Sequence, residues 1–116
     1  MNTAYITVTA ITAIITAGIA LAGFARASFV AGNMDEVGAP RSWMPKLATL
    51  KLAGAIGLIG GLVGFRPLGI AAALGLVLFF IGAVTAHLRA HVLYNIAFPG
   101  AYLALSTASL ALAIIQ

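Results

Sequence analysis

Four long apolar runs separated by short polar breaks make up most of this chain, and their lengths predict four membrane-spanning helices. A span needs about 20 mostly apolar residues to cross the hydrocarbon core. The runs cover about residues 4–25, 47–64, 68–86 and 96–115. The second is the shortest, and it can still cross if Lys46 reaches to the interface and the bilayer thins locally. Only Phe65, Arg66 and Pro67 separate it from the third, so these two spans are expected to form an antiparallel hairpin. Proline suits a helix start, where its missing N–H would be unpaired in any case. The expected architecture is all-α: an integral membrane four-helix bundle, one domain over residues 1–116, with a longer loop over residues 27–46.

The end of the first run, Ala25-Arg26-Ala27, resembles the small-x-small cleavage site of a secretory signal. No basic residue precedes Arg26, and the run is far longer than the apolar core of about 7 to 15 residues in such a signal. The segment is therefore read as a retained span.

Composition removes the soluble alternative. Of the residues, 63% are hydrophobic and 7% charged, with a mean hydropathy of +1.15. Eight charged side chains cannot coat a soluble domain of this size, so lipid must be the solvent for most of the surface. The net charge of +4 is too scattered for a phosphate-tracking patch, which sets nucleic acid aside and leaves anionic headgroups as the counter-charge. There is no cysteine, which excludes disulfides, thiolate nucleophiles, iron-sulfur clusters and Cys-ligated zinc. No motif implies a cofactor or a metal.

With four spans, loops 27–46 and 87–95 share one side, while both termini and the short turn share the other. Arg26, Arg41, Lys46, Lys51 and Arg89 fall on or near the first side, against Arg66 alone on the second. Basic residues concentrate on the cytoplasmic side of membrane proteins. Both loops are therefore expected in the cytoplasm and both termini outside, in a multi-pass protein of the cell membrane.

Against this background Lys51 stands out, because it lies inside the apolar run TLKLAGAIGLIGGLVG. A charge within a span is costly and is usually aimed at a cavity, a partner or the interface. Reflecting the hairpin about Arg66 sets Lys51 level with residue 81. His87 then stands six residues, or about 9 Å, nearer the loop side. His87, Arg89, Tyr94, Asn95 and Tyr102 all fall toward that side and define with Lys51 a candidate polar pocket. His87 and His91 are four apart, as for two ligands on one helix face. No cysteine or carboxylate follows at ligand-like spacing, so a capping, hydrogen-bonding or proton-sensing histidine is the reading preferred over a metal.

Three other patterns leave alternatives open. Gly54, Gly57, Gly60, Gly61 and Gly64, with Gly69, Gly75 and Gly82, let helices approach closely or leave room for a flat or chain-like lipid. Thr9, Thr12 and Thr16, and likewise Tyr102, Ser106 and Ser109, each line one helix face. Either set bonds neighbouring helices or lines a polar interior. The loop SFVAGNMDEVGAPRSWMPK holds both acidic residues, Asp35 and Glu36, and the interfacial Trp43. Its glycine and proline content opposes one continuous helix, and it is either a solvated connector or a lid.

The stretch LATLKLAGAIGLIGGLVGFRPLGIAAALGLVLFFIGAVTAHLRA resembles the DoxX-like family of small four-helix membrane proteins. The match rests on Leu50-Lys51-Leu52-Ala53-Gly54, similar to that family's lysine- or glutamate-bearing second helix, and on Gly82-Ala83 followed by His87-Leu88-Arg89. The first and last spans are similar in placement and hydrophobicity only. The family name derives from a subunit of a thiosulfate:quinone oxidoreductase, and the wider group occurs in membrane redox assemblies. The resemblance implies the fold, while one fold can host unrelated activities.

The expected function is binding of a hydrophobic small molecule, quinone- or lipid-like, at Lys51, His87, Arg89, Asn95 and Tyr102, as an accessory to a membrane redox partner. One alternative is a small intramembrane enzyme with His87 as acid or base and Lys51 as electrostatic stabiliser. The other is a transporter assembled as a dimer, the homo-oligomer this reading allows, disfavoured by the small volume that four helices enclose.

Overall fold

The computed structural model describes residues 2–25 and 27–115. Arg26, expected to end the first span and counted in the charge bias, lies outside them. The described residues form α1 (Thr3–Phe24), α2 (Ser28–Glu36), a single 3-10 turn (Arg41–Trp43), α3 (Met44–Leu62), α4 (Arg66–Arg89) and α5 (Ala97–Ile115). Four of these, with the 3-10 turn continuing into α3, are long and apolar enough to cross a membrane.

Helix α1 packs on α3, α3 on α4, α4 on α5, and α5 returns to α1, so the long helices close a ring. Each runs antiparallel to both neighbours. The inner faces carry small and medium side chains, with Ala13, Leu58, Ala73, Leu76 and Phe80 at the centre. Ile14, Leu21, Val63, Leu78 and Ile115 point outward, as lipid-facing residues should. Helix α2 covers one end, which we call the loop end, burying Ala31 and Met34 against Met44.

Helix ends follow local chemistry. Asn2 starts α1 by accepting from the Tyr5 N–H at 2.7 Å, an N-cap bond. Helices α2, α3 and α4 all stop in the same way, with a left-handed residue after the cap and a six-to-one backbone bond. The bonds are Ala39 N–H to Met34 O, Phe65 N–H to Gly60 O and Val92 N–H to His87 O. The left-handed positions are Gly38, Gly64 and His91, and glycine is the usual occupant.

Two spans are bounded differently from the sequence expectation. The second helix begins at Met44 rather than at residue 47, and the third at Arg66 rather than 68, extending to Arg89. In both, a proline (Pro45, Pro67) sits in the first helical turn, where it leaves no hydrogen bond unmade, and for Pro67 this is the helix start that the sequence suggested. Loop 27–46 contains a nine-residue helix, halted before Pro40 as its composition demands.

The glycine question resolves residue by residue. A methyl group added at Gly57 would stand 2.5 Å from Ala72 Cβ, and one at Gly61 2.7 Å from Gly69 Cα. These glycines let α3 and α4 touch. At Gly75 and Gly82 nothing lies within 4 Å, and both remain open to lipid.

Candidate functional site

The close contacts along α3 and α4 set the register of the hairpin. Gly61 meets Gly69, Gly57 meets Ala72 and Gly54 meets Leu76, so the pair is centred on Phe65. Lys51 therefore stands level with Phe79, and its ammonium lies 5.7 Å from the centre of that ring. A cation within about 6 Å of an aromatic face is attracted by the ring quadrupole. His87 is eight residues further along α4, about 12 Å at the helical rise, a wider separation than the 9 Å expected from sequence.

Lys51 is half-buried and has no carboxylate partner among the described residues, because both acids are engaged elsewhere. Asp35 receives Arg41 in a two-pronged contact at 3.1 and 2.6 Å. Glu36 accepts from the Tyr94 hydroxyl at 2.5 Å. The Arg41 hydrogen bond holds the Asp35 carboxyl below its ordinary value, and the bond to Glu36 pushes the Tyr94 phenol up.

Beside Lys51 the outer seam of α3 and α4 forms a groove of about 580 Å³, with Leu50, Gly54 and Gly57 on one wall and Ala72, Gly75 and Phe79 on the other. It is almost wholly apolar and opens toward lipid. Inward from Phe79, the Phe80 ring meets it edge-on at 5.2 Å, and Tyr102 stacks on Phe80 at 5.1 Å. Lys51 and Tyr102 are thus joined by a continuous aromatic contact across α4.

The other candidates lie at the loop end. His87 is buried, and its Nδ1 is 2.9 Å from the Ala83 carbonyl. A carbonyl only accepts, so Nδ1 carries the proton and Nε2 is a buried acceptor with no partner. Asn95 donates from Nδ2 to Asn33 Oδ1 at 2.9 Å, and its Oδ1 is also buried and unpaired. Arg89 borders a separate depression of about 340 Å³ with Val37, Ala86 and Ala90. His91 lies beyond the last turn of α4 with φ at 57°. The two histidines therefore do not share a helix face, and among the described residues no group of ligating side chains could hold a metal.

The hydroxyl stripes meet between α1 and α5. Thr9 and Ser109 share a 2.7 Å hydrogen bond, and Thr12 donates to the Val8 carbonyl. Thr16 and Ser106 are equally buried but have no hydrogen-bond partner. Phe79, Asn33 and Glu36, which engage Lys51, Asn95 and Tyr94, were not anticipated from sequence. Phe79 had a signal, the reflection of the hairpin, which missed by two residues. The partners of Asn33 and Glu36 lie 62 and 58 positions away along the chain, and no local pattern connects them.

Four antiparallel apolar helices with one short capping helix define a small multi-pass membrane protein. The model of the DoxX-like family matches residues 7–109, and the chain belongs to that family. No curated protein and no solved structure matches it.

Proposed function

We propose that this protein binds an amphiphilic small molecule, quinone- or lipid-like, in the groove between α3 and α4. One observation carries this reading: the Lys51 ammonium stands over Phe79, which lines an apolar, lipid-facing groove, and has no carboxylate partner among the described residues. An unpaired cation in a span is expensive. A carbonyl or phosphate head that accepts its hydrogen bonds would offset that cost, while the apolar chain lies along Gly54, Gly57 and Gly75. Tyr102 supports the ring stack behind Lys51. His87, Arg89 and Asn95 stand nearer the loop end and would meet a head group that projects that way, beneath α2 as a lid.

Membership of the DoxX-like family supports a place beside a membrane redox partner. Arg41, Lys46 and Arg89 at the loop end, against Arg66 at the other, support a cytoplasmic position for that end. The test is mass spectrometry of small molecules retained after purification in mild detergent. A quinone or phospholipid is expected with the parent and with Lys51→Arg, and is expected to be lost with Lys51→Met. The mass identifies which class binds. Equal retention in all three proteins, or none in the parent, would overturn the reading.

A further inference from the structure

The interior of the bundle carries a second polar feature, distinct from the outer groove. Tyr5, Thr9, Thr12 and Thr16 occupy successive turns of α1 and are all buried. The Thr9–Ser109 hydrogen bond fixes the antiparallel register of α1 and α5. Counting along both helices from that pair sets Thr12 level with Ser106 and Thr16 level with Tyr102. Tyr102 stacks on Phe80, and His87 follows Phe80 by seven residues, two turns along the same buried face of α4. At the opposite end, positions built beside Gly61 and Gly69 fall 2.8 and 3.4 Å from the Tyr5 hydroxyl, close to the α3–α4 turn. Groups able to exchange protons therefore recur along the α1–α5 seam from Tyr5 to the level of Tyr102, and His87 stands two turns, about 10 Å, further toward the loop end.

Helix adhesion accounts for some of these groups and not for others. Thr12, Thr49, Thr85 and Thr107 each donate to the carbonyl four residues earlier, the ordinary way for a hydroxyl to be satisfied within a membrane helix. Thr16 and Ser106 do not, though both are 0% exposed, and neither does the Nε2 of His87, which is 3% exposed. Three unpaired polar atoms on three helices face an interior where lipid supplies no substitute partner. Left unpaired, each carries the desolvation penalty of a buried polar group. Unpaired buried polar groups of this kind are where buried water binds when there is room for it, with two to four hydrogen bonds each.

We propose that the seam between α1 and α5, continued along the buried face of α4 to His87, is a proton-conducting lane, in which water joins Thr16 and Ser106 to the Thr9–Ser109 pair and bridges onward to His87. A hydroxyl donates and accepts at once, as water does. A proton can then cross as a series of exchanges, each breaking one O–H or N–H bond and forming another. A hydronium ion delivers the proton at one face and a water molecule accepts it at the other, so no electron or co-reactant is needed. His87 serves at the loop end, taking the proton on Nε2 and passing it on, the shuttle role for which imidazole is suited.

The test uses the purified full chain in vesicles of phosphatidylcholine and phosphatidylglycerol loaded with a pH-sensitive dye, with a potassium gradient and valinomycin setting the potential. Acidification is expected to be several-fold faster than in protein-free vesicles. The double variant Thr16→Val with Ser106→Ala, which nearly preserves side-chain shape, is expected to fall to the protein-free rate. Thr85→Val, at a lipid-facing hydroxyl, is expected to conduct like the parent. Helix content and melting temperature verify that each variant is folded. Should the double variant unfold, His87→Phe provides the same test at the loop end. A parent rate equal to that of protein-free vesicles overturns the proposal, as does parent-like conduction in any folded lane variant.

Discussion

The Lys51 ammonium rests 5.7 Å from the centre of the Phe79 ring, on the lipid side of a bundle whose acidic residues are both engaged elsewhere. A cation–π contact contributes about 0.5–1 kcal/mol when exposed and about 2 when desolvated. Placing an ammonium in a span costs about 2.5–3.5 kcal/mol. The cost exceeds the gain, so Lys51→Met is expected to raise ligand-free stability by about 1 kcal/mol or more, while Phe79→Leu lowers it. A double-mutant cycle followed by thermal unfolding in detergent should return a coupling of about 0.5–2 kcal/mol between the two positions. Zero coupling would show that the ring does not hold the charge.

The seam of α3 and α4 makes an opposite pair of forecasts for two glycines. At Gly61 an added methyl meets the Gly69 backbone at 2.7 Å, and backbone cannot swing aside. Gly61→Ala is expected to cost about 1–3 kcal/mol through overpacking. At Gly75 nothing lies within 4 Å, and Gly75→Ala is expected to gain about 0.5–1 kcal/mol from helix propensity. Unfolding of the two variants under identical detergent conditions checks the contrast. Equal effects would contradict the close approach at Gly61.

The legible part of this protein was the part written in hydrophobicity. Four spans and the tight hairpin follow from run length and from the Phe65-Arg66-Pro67 break, because lipid leaves the backbone few alternatives to a helix. Boundaries were less legible, since Pro45 and Pro67 read equally well as loop or as first turn. Lys51 was visible as a charge out of place, and nothing in the sequence separated Phe79 from the other phenylalanines. Its selection depends on the contact of Gly61 with Gly69, which moves the centre of the hairpin by one residue and the partner of Lys51 by two. Helix α2 was hidden because nine residues with mixed polarity carry no extended period, and its anchors, Asn95 and Tyr94, are remote in the chain.

Two contacts of this cap, Asp35 with Arg41 and Glu36 with Tyr94, make the loop end sensitive to pH at both extremes. The Arg41 contact holds Asp35 below its ordinary value of 3.8, so its contribution is complete above that pH and is lost as pH falls through the lowered value. Tyr94 is held above its ordinary 10.0 by the bond to Glu36. Its contribution is complete below pH 10 and is lost as pH rises through the raised value. Trp43, the only tryptophan, lies in the turn that joins this cap to α3 and reports on it by fluorescence. A plateau is expected between an acid transition below about pH 4 and an alkaline one above about pH 10. Arg41→Gln should remove the first and Tyr94→Phe the second, with helix content unchanged. A transition that survives its matching variant would assign it to another group.

His91 allows a test of whether its place is structural or chemical. It occupies the left-handed position that ends α4, with φ at 57°, whereas α2 and α3 use Gly38 and Gly64 there. A side chain in this conformation costs about 1–2 kcal/mol relative to glycine, and the imidazole is exposed. His91→Gly is therefore expected to raise the unfolding free energy by about 1 kcal/mol, retain the bond from Val92 N–H to His87 O, and leave ligand retention as in the parent. His91→Val, with a branched side chain at the same φ, is expected to destabilise. If His91→Gly loses stability, or retains less of any co-purifying small molecule than the parent, the imidazole has a contact that outweighs the strain of its backbone.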